Sequence, residues 1–476
     1  MMKRIATAFL AACMAALAPQ AAAQDAAPPT LIIGATILEL SGEEPRKLDG
    51  QAVLVEGGVI TAVGPVGEVD TPEGARIVDG AGHTLMPGLV DMHVHVWDEA
   101  ELGAYLANGV TTVRNMSGMP FLLAMGERIE RGELAGPRLV TTGPILNSPG
   151  PNAQLNHQIV EDAEAARAAV RWQHSQGFGR VKVYSNLGRE PFEAILAEAQ
   201  ALGMPVTGHT AEGPRAEGVP ATRPFAIPFE FSLKAGFETI EHVESIVWHG
   251  LRNRQDEDAA RELARRIAAS GVPVDATLIA FENLARIADT KGAHLSREGT
   301  DRLNPFIGAT ETEQFERWSN EDAERAKADA GFYRRFTGML AEEGALIVAG
   351  SDAGIATNIP GVSLHDELDF LMEAGLEPFA VLRAATILPA RILAADQTAG
   401  QIAPGQRADL LLVEGDPLAD IAVLRQPAAV IANGRLYTRD DIAGLWASAS
   451  RTDPARTQQN VLAAMAQQGT EIPLGE

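Results

Sequence analysis

Cysteine is almost missing from this chain, and the single one, Cys13, lies in the apolar stretch near the N-terminus. Once that stretch is removed, neither a disulfide framework nor thiolate chemistry can operate in the remainder. Basic residues are also short: 39 Lys and Arg stand against 63 Asp and Glu, a formal charge of -24. Such a charge repels phosphate backbones and anionic lipid, which speaks against nucleic acid or a membrane surface as partner and leaves a small molecule. Long apolar runs are missing too. No segment after the N-terminus reaches the ~18 uninterrupted apolar residues of a membrane-crossing helix, so no membrane span is expected.

What the chain has is length: 476 residues, 46% hydrophobic and 21% charged. That suffices for an enzyme domain of roughly 250 to 300 residues with an accessory domain beside it. The opening "MMKRIATAFLAACMAALAPQAAAQ" sets Lys3 and Arg4 before an apolar stretch from Ile5 to Leu17, then Ala21-Ala22-Ala23 before Gln24. This is the layout of a secretory signal over residues 1–23, so an exported protein, periplasmic or secreted, is expected. Leu10-Ala11-Ala12-Cys13 also has the form of a lipoprotein cleavage box, the minor alternative, with Cys13 lipidated as an anchor.

Short β-rich runs separated by Gly, Asp and Pro occupy residues 28–87, and the same texture returns over 396–440; together they predict one small β-sandwich built from both ends. Between them, residues 88–395 alternate apolar runs with amphipathic stretches: "LVDMHVHV", "VTTVRNM", "RLVTTGPIL", "RVKVYSN", "PVTGHT", "TIEHV", "PVDATL" and "LIVAGSDAG". Strand-helix alternation of this kind predicts an α/β protein with a (β/α)8 TIM barrel, whose chemistry sits at the carboxyl ends of the strands. The connections after the fifth and the seventh strands are longer than a barrel needs and read as lids or substrate walls. Residues 441–476 read as a helical tail, a surface or interface element without chemistry; a homo-oligomer stays open.

In "GLVDMHVHVWDEA", His93 and His95 are two apart on a strand and point to one side. Alone, the pair is weak evidence. His209 ends "PVTGHT", His242 ends "TIEHV", Asp352 ends "VAGSDAG", and Lys182 sits inside "VKVY", where a buried amine is costly unless neutralised or paired. Six such residues at the ends of five strands point to a metal site. Tyr184, two past Lys182, also faces inward, either as a hydrogen-bond donor to a carbonyl developing charge or as a barrel-filling aromatic. Arg114 reads equally as a contact for an anionic substrate or as half of an internal ion pair. Asp91 reads as a partner orienting an imidazole, and His365 as a capping or outer residue. His83, His157, His174, His249 and His294 read as surface or structural.

The flanking β segments, "PGLVDMHVH", Lys182, His209, His242, Asp352 and the closing "GQIAPGQRADLLLVEGDP" resemble the amidohydrolase superfamily of metal-dependent hydrolases. "VKVYSN" and "LHDEL" are similar to its imidazolonepropionase-like group, with exported prolidase-like dipeptidases and ochratoxin-type amide hydrolases. The resemblance implies two divalent metal ions, with His93, His95 and Asp352 on the more buried one, His209 and His242 on the more exposed one, and Lys182, carboxylated by CO2, bridging them. Burial favours the neutral amine that carbamate formation requires. Zinc is the default metal for such ligands, and manganese or cobalt fit them too. The implied reaction is hydrolysis of a C-N bond in a dipeptide or N-acyl amino acid, with Asp352 as general base. Alternatives are a cyclic amide hydrolase of the imidazolonepropionase or hydantoinase kind, a deaminase, and a non-catalytic periplasmic metal-binding protein.

Overall fold

The strand Thr30–Glu39 changes partners along its length: Thr30 to Ile33 pair in parallel with Arg76–Asp79, and Thr36 and Ile37 with His83–Pro87. The change falls at Gly34, whose φ of 83° suits a residue without Cβ, and it bends the strand. In the computed structural model, which describes residues 27–151, 153–154, 156–214, 225–355, 357–393 and 398–469, this strand is the centre of an eight-stranded sheet. The expected signal with Cys13, residues 215–224 of the first long connection and the end of the tail lie outside the described residues. Leu410–Glu414 pairs antiparallel with His83–Pro87, so segments from both ends of the chain share the sheet. The expected sandwich is thus one hydrogen-bonded sheet bent over a common core of Ile32, Val53, Ile60, Leu85, Leu410 and Ile431.

Among the described residues, the strands in the middle of the chain pair in parallel. Leu89–Val94, Val110–Asn115 and Arg138–Thr141 form one sheet. The other runs in the order His157–Ile159, Ile145–Asn147, Val181–Val183, Val206–Gly208, Ile240–Glu241, Val274–Asp275, Ile347–Val348. Backbone hydrogen bonds link the two sheets at two places, Met92 N to Ala349 O at 3.0 Å beside the strand Ile347–Val348 and Gly143 N to Arg180 O at 2.8 Å beside Val181–Val183. "RLVTTGPIL", expected as one strand, is divided between the sheets at Pro144, which has no N–H to give to a ladder.

Helices alternate with these strands and obey local rules. Ala163–Gln176 begins at Asp162, whose carboxylate accepts from the Glu164 and Ala165 N–H groups, and ends at Gly177 with φ 101°. Its buried face carries Ala166, Ala169 and Val170. The connection between Val274–Asp275 and Ile347–Val348 holds the helices Leu278–Asp289, Pro305–Thr310, Thr312–Ser319 and Ala323–Glu342. The tail, expected as a surface element, packs back on the molecule: Val461, Ala464 and Met465 of Pro454–Gln468 are buried, and Arg456 forms a bidentate pair with the buried Asp98. Among the described residues no helix is long and apolar enough to cross a membrane.

Candidate active site

His93 lies on Leu89–Val94 and His95 just past its end, both buried. Asp352 Oδ1 stands 3.1 Å from His95 Nε2 and 3.4 Å from His93 Nε2. Ligand atoms of His93, His95 and Asp352 lie within 4.8 Å of one another, close enough to share one cation. The His242 ring is 4.6 Å from that of His93 and 4.5 Å from that of His209. Lys182 Nζ is 3.2 Å from His93 Nε2. The six residues singled out in the sequence therefore meet at one place.

Each imidazole is held from behind through Nδ1. The partners are Glu241 Oε2 for His93 at 2.8 Å, the Ser117 hydroxyl for His95 at 2.8 Å, the Ser245 hydroxyl for His209 at 3.0 Å and the Thr277 hydroxyl for His242 at 2.6 Å. Fixing Nδ1 in this way is what metal-binding histidines require, because it orients Nε2 for the ion. Burial, the largest influence on each, keeps the rings neutral: His93 and His209 titrate well below the usual range, and His242 is pushed down to about 4. Neutral imidazole is the ligating form. Burial also pushes the Lys182 ammonium down to about 8, favouring a neutral amine. For Asp352 burial acts the other way, but the surrounding imidazoles outweigh it and hold the carboxyl below the usual range, ionised.

The backbone is strained here. His242 and Asp352 have φ of 65° and 54°, uncommon for residues with a Cβ and typical of functional positions. Gly354 permits the turn after Asp352, since a Cβ on it would sit 1.9 Å from the His95 carbonyl oxygen. Neutral imidazoles beside one ionised carboxylate, with each Nδ1 supported from behind, fit divalent cations.

Tyr184 lies at this cluster, its ring 4.0 Å from that of His209 and 4.7 Å from that of His157. Arg114 does not reach solvent. It is fully buried, donating from Nε to Met92 O at 2.7 Å and from Nη2 to Glu241 Oε1 at 2.8 Å, so the internal ion pair is its role. Asp91 does not touch an imidazole ring as expected; it accepts from the backbone N–H of His93 and of Ser351 and bonds the Ser351 hydroxyl. His365 Nε2 lies 2.9 Å from Asn108 O. His249 is spent on Thr210 and Ile227 O. His83 and His294 face Ala81 O and Asn283, and His174 is exposed on its helix.

The sequence reading missed Glu241 and Asp275. Glu241 joins Arg114 to His93, and Asp275, 3.6 Å from Arg114 Nη2, is pushed well above the carboxylate range by burial and then by Glu241. The signal was available: "TIEHV" and "PVDATL" each place an acid inside an apolar strand, which calls for a buried cation, and Arg114 is that cation.

Two other acids give a pH dependence. Burial pushes Glu101 and Glu367 up to about 8 from an ordinary 4.5. Their protonated forms favour the fold, so this stability is complete below about pH 4.5 and is lost as pH rises through about 8. The melting temperature is expected to fall between pH 5 and 9, and Glu367→Gln to flatten that slope in thermal melts; a flat profile in the unaltered chain would contradict the assignment.

Residues 84–437 match the model of the amidohydrolase family. The chain is 23% identical over 500 residues to ochratoxinase of Aspergillus niger, covering 90% of this chain and 91% of that protein. It is 30% identical over 196 residues to adenine deaminase 3 of Rhizobium johnstonii, but this covers 38% of the chain and 32% of the relative, about a third of its length. Among solved structures, a putative prolidase from Bifidobacterium longum superposes with a TM-score of 0.65 at 26% identity, over 89% of this chain and 99% of that one.

Proposed function

The chain belongs to the amidohydrolase family, metal-dependent hydrolases of carbon–nitrogen bonds, and from that premise we propose that it is an exported binuclear enzyme hydrolysing dipeptides or N-acyl amino acids. The observation that carries the reading is Lys182: a buried amine, 3.2 Å from His93 Nε2, among imidazoles whose Nδ1 atoms are all engaged. Such an amine is costly as a cation and useful as a carbamate. In this reading His93, His95 and Asp352 would hold one zinc ion and His209 and His242 the second, with carboxylated Lys182 as the anionic ligand that would serve both. The two parallel sheets close into a (β/α)8 barrel with the site at its carboxyl end, a reading supported by the backbone hydrogen bonds that join the sheets at two places.

Bound divalent cations supply an acidified water and polarise a carbonyl oxygen. The chain does the rest. Asp352, ionised and buried at the cluster, takes the proton of the attacking water and returns it to the departing nitrogen. Ser117, Ser245, Thr277 and Glu241 fix the four rings so that no reorganisation is needed during the reaction. Tyr184, whose ring lies against that of His209, donates a hydrogen bond from its hydroxyl to the substrate carbonyl oxygen as negative charge develops, keeping its proton. Tyr184→Phe is expected to lower kcat by about 10- to 100-fold with KM little changed; unchanged kcat/KM would sink that role.

Amide substrates are supported by the full-length likeness to ochratoxinase and to a putative prolidase. The local likeness to adenine deaminase favours deamination as a second reading. A panel of Xaa-Pro and Xaa-Arg dipeptides, N-acyl aromatic amino acids, a cyclic imide and adenine, assayed with metal-loaded protein, separates them. Turnover of the dipeptides or N-acyl amino acids is expected; ammonia release from adenine alone, or turnover of the imide alone, would overturn the reading.

A further inference from the structure

Next to the imidazole cluster the interior is charged. Arg114, on the strand Val110–Asn115, is fully buried, and so are Glu241 and Asp275 beside it. The guanidinium reaches the strands that carry the candidate ligands. Nε donates to Met92 O at 2.7 Å, one residue before His93. Nη2 donates to Glu241 Oε1 at 2.8 Å, one residue before His242, and Nη1 donates to the Thr239 hydroxyl at 2.8 Å on the approach to the same strand. The Thr207 hydroxyl, two residues before His209, donates to that same Glu241 oxygen at 2.8 Å. One cation and one carboxylate thus fasten the three strands that present His93, His209 and His242.

The two oxygens of Glu241 have separate duties. Oε1 takes the donors of Arg114, Thr207 and Thr239, and Oε2 accepts the Nδ1–H of His93 at 2.8 Å. A carboxylate at Nδ1 places the ring proton there and leaves the Nε2 lone pair toward Lys182 and Asp352, 3.2 and 3.4 Å away. Of the four imidazoles, His93 is the one held at Nδ1 by a carboxylate; the hydroxyls of Ser117, Ser245 and Thr277 hold the others. A charge-assisted bond is the stronger kind, and a buried carboxylate in turn requires a buried cation. Arginine suits the place because its rigid fork gives Met92 O and Glu241 Oε1 a donor each, whereas lysine carries one nitrogen on a flexible stem.

We propose that Arg114 is a positioning residue for the candidate metal site: it holds Glu241 so that His93 meets its ion through Nε2 in one orientation, and it thereby sets the affinity of the ion that His93 shares with His95 and Asp352. The inference rests on the metal reading above and goes beyond it, since Arg114 touches no ligand atom itself and acts through the carboxylate between them.

Arg114→Lys tests it by keeping the charge and giving up the fork. Zinc is titrated into the stripped full chain in competition with a chromophoric chelator, a readout that needs no turnover. One ion is expected to be held about 10- to 100-fold more weakly, the size of losing an outer partner of a metal-bound histidine, and the other as in the parent. Arg114→Gln, which gives up the charge as well, is expected to weaken the same ion at least as much. Glu238→Gln is the control: Glu238 lies 3.3 Å from Nη1 of the same guanidinium and pairs with Arg180. It is expected to lower the melting temperature of the metal-free chain and to leave both affinities where they were. Unaltered binding of both ions in the Arg114 variants, equal weakening of both, or an equal loss in Glu238→Gln would overturn the proposal. Failure of both Arg114 variants to fold in excess zinc would assign the residue to the fold alone and overturn it too. Failure of the metal reading would appear differently, as no zinc bound by the unaltered chain. With one ion per unaltered chain the binuclear reading fails, and the same comparison on that ion still decides Arg114.

Discussion

Asp352→Asn is expected to lower kcat for amide hydrolysis by about 10² to 10⁴-fold, with KM moving far less, in assays with metal in excess. The substitution keeps the shape and an oxygen that can still face His93 and His95, whose Nε2 atoms lie 3.4 and 3.1 Å from Oδ1, but removes the charge and the proton acceptor. Three features make the native carboxylate suited to the task. It is buried, so its field is not screened; the imidazoles keep it ionised; and a left-handed backbone conformation aims it at the cluster. An effect of this size confined to kcat marks a group acting in the transition state rather than in binding. A variant retaining a tenth or more of the native kcat would remove Asp352 from the role of base.

Lys182→Ala is expected to lose at least one metal ion per chain and to lower kcat/KM by roughly 10³-fold or more, since it removes the one anionic bridge assigned between the two ions. Stability supplies the contrast. In the metal-free chain the Lys182 amine is buried and pushed down to about 8, a penalty to folding that alanine relieves. The metal-free variant is therefore expected to melt no lower than the metal-free parent, aside from a small cavity cost. Loss of activity with an intact metal complement, or a collapse of the metal-free fold, would show Lys182 to be a structural residue instead.

The candidate cluster was legible because metal chemistry would write itself into strands as polar residues where apolar ones are expected. His93 and His95 at alternate positions, and Lys182 inside "VKVY", are each costly enough to demand an explanation. Glu241 and Asp275 carried the same signal but were absorbed into their strands, because their partner Arg114 is more than a hundred residues away and a sequence does not display that pairing. The same distance effect explains the other differences. The bend at Gly34 divides one strand between two partners, Pro144 divides another between two sheets, and the tail helix docks on Asp98 across nearly the whole chain. Asp91 was expected to orient an imidazole, but its oxygens serve the backbone of His93 and Ser351, a geometry that side-chain chemistry alone does not reveal.

The central claim is that four neutral imidazoles, one ionised aspartate and one buried lysine hold two cations that hydrolyse an amide. The most direct test is metal content against activity: strip the protein, titrate zinc back, and follow bound metal per chain by elemental analysis alongside dipeptide hydrolysis. The account predicts that activity saturates at two ions per chain. Full activity with one ion per chain, or with none, would contradict it.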